Sequence, residues 1–144
     1  MSSKKSEVAA RAVDWAGRGW DARYLCYFDC FNRQCYYEAH DVLEDLWLER
    51  RTGPEGNFYK ALIQLAGAFV HLQKGRLEPA AALLRLAEGY LENYPPEFEG
   101  VNLPALLHLT RSWRAALESS AFRRNPLGEK PPPQLAFPRE VRSL

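Results

Sequence analysis

His40 and Glu44 are four residues apart, a spacing that puts an imidazole and a carboxylate on one face of an α-helix, within reach of each other. They belong to the stretch YYEAHDVLEDLW, residues 36–47. At about 100° per residue, Tyr36, His40, Leu43, Glu44 and Trp47 share one stripe about a third of a turn wide. Glu38, Asp41, Asp45 and Glu49 fall on a different face. The stripe predicts that His40 and Glu44 are buried among aromatics. A second apolar helix carries Gln64 and His71 on one face, two turns apart, with Gly67 and Ala68 between them. Small residues there let a neighbouring helix approach. If that neighbour is the first helix, His40, Glu44, Gln64 and His71 meet in one polar cluster.

Such a cluster supports more than one chemistry. Two imidazoles and a carboxylate form a ligand set for zinc or iron, so a divalent metal at His40, Glu44 and His71 is one expectation. The same groups suit general acid–base work, which makes a metal-assisted or acid–base hydrolase the enzymatic alternative. The leading expectation is non-catalytic. In it, Glu44 accepts from His40, Gln64 and His71 close the remaining bonds, and the network fixes helix register or lines a small-molecule pocket. The residues lack the Glu-x-x-His pairs of di-iron bundles and the His-Glu-x-x-His spacing of zinc proteases.

The elements that must hold these residues read as helices. Residues 4–16 carry Val8, Ala9, Ala12, Val13 and Ala16 at amphipathic spacing and stop at Gly17 and Gly19. A second helix runs from about Asp21 to Phe31, and Asn32-Arg33-Gln34 is a short turn. The helix with His40 follows, to about Arg50. Thr52 to Asn57 is a loop. Phe58–Lys74 is apolar nearly all round and therefore central, with Gly75 as its C-terminal stop. Leu77–Glu92 follows. Pro95-Pro96 breaks the chain, and Leu103 to about Ser120 is the last helix, with Pro104 in its first turn. From Asn125 the helical period ends in NPLGEKPPPQLAFPREVRSL, a proline-rich tail either laid on the surface or disordered. The expected architecture is all-α: one domain over residues 1–124, about five to six antiparallel helices, then the tail over 125–144.

Totals narrow the function classes. A chain of 144 residues suits one domain with a core, and a net charge of +1 steers it toward neither nucleic acid nor an anionic membrane. No apolar run has the length of a membrane span. The N-terminus has no apolar signal region, and three cysteines without an export signal read as reduced thiols of a cytoplasmic protein. Cys26, Cys30 and Cys35 form no CxxC pair and read as small buried residues. Trp47 and Trp113 read as core or interface aromatics, and Trp15 and Trp20 as packing for the first helix. Arg111, Arg114, Arg123 and Arg124 make the last helix basic on a solvated face. Tyr24, Tyr27 and Trp20 are candidates for a homodimer contact, and Pro131-Pro132-Pro133 for docking an adaptor partner.

Phe31-Asn32, Tyr37-Glu38-Ala39-His40, Glu44-x-x-Trp47, Leu62-Ile63-Gln64-Leu65-Ala66, His71, Gly75 and Ala80 together resemble domain-of-unknown-function family 309, from about Tyr24 to Leu107. The resemblance implies a compact all-helical domain and no established activity. Its motif residues carry over as Glu38, His40, Glu44, Trp47 and Gln64. Gln34 stands where the family usually has glycine, Ala61 where glycine often precedes the LIQ segment, and Asp41 where glutamate is common.

Overall fold

A computed structural model describes residues 19–140. The helix expected over 4–16, with Trp15 and Gly17, lies outside the described residues. Five α-helices follow one another: α1 (Ala22–Asn32), α2 (Tyr36–Arg50), α3 (Gly56–Gln73), α4 (Leu77–Leu91) and α5 (Leu103–Ser119). Each packs on the next, so the domain is a compact all-α array. No described helix is long and apolar enough to cross a membrane.

Local chemistry sets the helix ends. Asp21 caps α1, its carboxylate accepting the Arg23 N–H at 2.9 Å. Asn102 caps α5 in the same way through Ala105, and Pro104 sits in that first turn. Gly75 follows α3 at φ +72°. Gln34 takes φ +64° in the turn after α1, the left-handed conformation that glycine adopts without strain. The turn therefore keeps its shape with a less suitable residue. Helix α3 begins two residues before the expected Phe58, because the Pro54-Glu55 turn leads straight into it.

Helix α3 is central, as its all-round apolarity predicts. Phe58, Tyr59, Leu62, Leu65, Phe69 and Leu72 are all buried. The Tyr36 ring lies 5.1 Å from Phe69, and Phe69 lies 4.9 Å edge-on to Trp113, which links α2, α3 and α5.

The sequence reading did not include a hairpin, and it left two forms open for the tail. After Pro95-Pro96 a minimal antiparallel hairpin forms, β1 (Glu97–Phe98) with β2 (Val101–Asn102). Tyr24 and Tyr59 anchor its turn by donating to the Glu99 carbonyl at 2.7 Å and the Glu99 carboxylate at 2.6 Å. Over the described residues, up to 140, the tail lies on the surface as a strap. A short 3-10 turn, Pro126–Gly128, leads into extended chain that buries Pro133, Leu135 and Pro138. The strap meets the hairpin at Gly100, where a Cβ would fall 2.8 Å from the Arg139 nitrogen and 2.9 Å from the Trp20 ring. Only glycine fits that close approach.

Candidate functional site

The buried face of α2 is Tyr36, Glu38, Ala39, Val42, Leu43 and Leu46. Glu44 is exposed, His40 is half-buried, and the buried acid is Glu38, at 8% exposure. This corrects the expectation of a buried His40–Glu44 pair. The aromatic residues Tyr36 and Trp47 pull the apparent stripe toward themselves. The real stripe is centred about a quarter turn away, on Ala39, Val42 and Leu46, so His40, Glu44 and Trp47 line its rim.

His40 packs against α3 at Gly67. A Cβ there would sit 3.8 Å from the His40 ring and 3.2 Å from Leu83 of α4. The missing side chain chiefly makes room for Leu83, and the His40 ring lies at ordinary contact distance beside it. Gln64 and His71 are one turn away on either side of Gly67. The His40 Nδ1, the Gln64 Oε1 and the His71 Nδ1 are all shielded from solvent and find no hydrogen-bond partner among the described residues. The Tyr36 hydroxyl is in the same condition, and burial pushes its pKa up to about 12. Burial lowers the pKa of His71, helped by the positive charges of Arg76 and Lys74, so His71 favours its neutral form. The three residues therefore share one seam but are not joined into the closed network that their spacing suggested.

On the outer side of the same rim, donor atoms of His40, Asp41 and Glu44 all lie within 4.8 Å of one another. His71 is not in that set. The His40 Nδ1 and the nearer Asp41 oxygen are 3.7 Å apart, too far for a hydrogen bond. Tyr37 stacks on the His40 ring at 6.5 Å and is itself 59% exposed. One turn beyond Glu44, the half-buried Trp47 ring receives the Lys60 ammonium at 5.8 Å and the Arg51 guanidinium at 5.9 Å. Lys60 also lies 5.6 Å from the Tyr90 ring. The seam is thus polar at His40, Gln64 and His71, and cationic and aromatic near Trp47.

The other sequence candidates resolve into structure. Cys26 and Cys30 are fully buried with sulfurs 3.9 Å apart, and Cys35 is part-exposed. Tyr24 and Tyr27 are 0% exposed, which removes them as dimer contacts. Trp20 is tied to the strap by its indole N–H, which donates to the Arg139 carbonyl at 2.6 Å. The basic face of α5 is largely neutralised: Arg111 and Arg114 pair with Glu88, Arg111 also with Glu92, and Arg114 also with Glu118. Within the strap Pro133 is buried and Pro131 is exposed.

Sequence reasoning set Asp41 and Glu38 aside as solvated acids. Neighbours i and i+1 on a helix rim can still converge when the side chains are long enough, which is how Asp41 reaches His40. For Glu38 the available signal is its place one turn before Val42, at the edge of the buried stripe.

Residues 24–83 match a family model, Domain of unknown function (DUF309). The matched segment contains Glu38, His40, Glu44, Trp47, Gln64 and His71, so the resemblance read from the motifs holds there. No curated protein and no solved structure matches the chain.

Proposed function

We propose that residues 24–83, the segment matching Domain of unknown function (DUF309), act as a non-catalytic helical module that binds a small polar molecule on the α2–α3 seam. One observation carries the reading: Gln64 and His71, one turn to either side of Gly67 where His40 packs, each hold a buried polar atom with no hydrogen-bond partner among the described residues. An unsatisfied buried polar group costs about 1–3 kcal/mol. A ligand that supplies hydrogen bonds to both side chains offsets that cost, which is the usual logic of a preformed polar site. Three cysteines with no CxxC pair support a reducing, cytoplasmic setting.

The test is a thermal-shift screen of the full chain against small carboxylates, phosphates, amides and polyols at millimolar concentration. At least one class raises the melting midpoint, and Gln64→Ala and His71→Ala abolish the rise. If every class fails and Gln64→Leu also lowers stability, the seam is packing and the reading is wrong.

A second reading rests on His40, Asp41 and Glu44, whose donor atoms already lie close together. One imidazole and two carboxylates suit zinc, iron or manganese, with open positions for water, and that would support metal-assisted hydrolysis. Elemental analysis of chain purified without chelator tests it. Near-stoichiometric metal, lost in His40→Ala and Glu44→Gln but kept in His71→Ala, supports this second reading. Metal at background level removes it.

A further inference from the structure

We infer that the strap, residues 125–140, exchanges between two copies of the chain, so that the groove it fills also accepts the same segment of a second molecule. The hinge is the first reason. After α5 the chain reverses through Ala121 at φ +52° and Phe122 at φ +61°, two consecutive non-glycine residues in the left-handed region. The reversal is held by the Ala121 N–H donating to the Glu118 carbonyl at 2.9 Å and the Phe122 N–H donating to the Leu117 carbonyl at 3.0 Å. This is the helix-ending motif that normally takes glycine. The segment from Ser119 to Asn125 contains neither glycine nor proline, and Ala121, Phe122, Arg123 and Arg124 can all continue a right-handed helix until Pro126. Opening the hinge therefore relieves strain and lengthens α5.

The second reason is where the strap is held. Asn125 donates to the Leu72 carbonyl at 2.7 Å. Leu135 exchanges two hydrogen bonds with Asn32, and Gln134 donates to the Asn32 carbonyl at 3.1 Å. The Arg139 N–H donates to the Gly100 carbonyl at 2.9 Å, and Phe137 packs on Phe28. These contacts go to α1, α3 and the hairpin, while the strap meets its own helix α5 through Lys130, whose ammonium lies 4.2 Å from the Trp113 ring. A second copy presents the same partners, so the contacts are re-formed unchanged in trans. Prolines at 131, 132, 133 and 138 keep the segment extended, which limits the entropy lost when it docks.

The test is to refold the full chain over a range of concentrations up to about millimolar and to measure mass by size-exclusion chromatography with light scattering. A dimer is expected at the high end, persisting on dilution because exchange requires undocking. The double variant Ala121→Gly, Phe122→Gly relaxes the hinge in the monomer and lowers the dimerisation constant at least about tenfold. Deleting two hinge residues, Phe122 and Arg123, prevents the reversal and makes the dimer the main species. A monomer at every concentration in both the native chain and the hinge deletion overturns the inference. So does a dimer whose constant ignores the glycine variant.

Discussion

Asn32 and Leu135 bind each other reciprocally: the Asn32 amide donates to the Leu135 carbonyl at 2.8 Å, and the Leu135 N–H donates back to the Asn32 side-chain oxygen at 2.7 Å. One side chain thus satisfies both backbone groups of a residue in the strap, as a neighbouring strand would. Asn32→Ala leaves both groups without these bonds beside the core. The expected loss is about 2 kcal/mol, seen as a fall of roughly 6 °C in the melting midpoint. A change within about 1 °C would mean that the strap contributes little to stability.

Gln64→Leu removes a buried carboxamide oxygen that has no partner among the described residues, at nearly constant volume. Stability should rise by about 1 kcal/mol, measured by urea unfolding with an unchanged slope. The gain is the signature of a polar group kept for binding rather than for packing.

Gln34 and Ala121 both hold left-handed backbone. Replacing either with glycine should stabilise by about 0.5–1 kcal/mol, since relief of strain outweighs the added freedom of the unfolded chain. Equilibrium denaturation of the two single variants and the double variant checks this. The sites are far apart in sequence and share no partner, so the gains should add.

His71 titrates lower in the folded chain than in the unfolded one because of burial and the nearby Arg76 and Lys74 charges. As pH falls through about 6.5, the unfolded chain takes up the proton first, so stability declines toward acid and levels off below the folded value. His71→Gln should flatten this part of the profile. Melting curves of the native chain and the variant from about pH 8 to pH 5 give the comparison, and parallel curves would contradict it.

Most of the fold was legible because its punctuation is strong. Gly75, Pro95-Pro96 and Pro104 mark ends that any helical period must respect. The rim of α2 was not legible for a definite reason. Ala39 and Val42 bury more completely than Trp47, yet Trp47 and Tyr36 dominate any reading by hydrophobicity, and this turned Glu44 inward on paper. The hairpin was hidden because two-residue strands are too short to show alternation. The docked tail was open to two readings, since proline-rich composition predicts extended chain but not what it lies against. Of the candidate site, the pairing of His40 with α3 was signalled by Gly67. The approach of Asp41 to His40 depends on side-chain reach, which spacing alone does not encode.

Cys35 is part-exposed in the turn before α2, whereas Cys26 and Cys30 are wholly enclosed on α1. A thiol reagent will therefore see two populations of sulfur in one molecule. The first reacts from the native state. The other two wait for α1 to come away from the core, and their rate under mild conditions follows the population of that opened form. The chain carries its own labelling clock, which needs no engineered cysteine and can be read by mass spectrometry after a timed pulse.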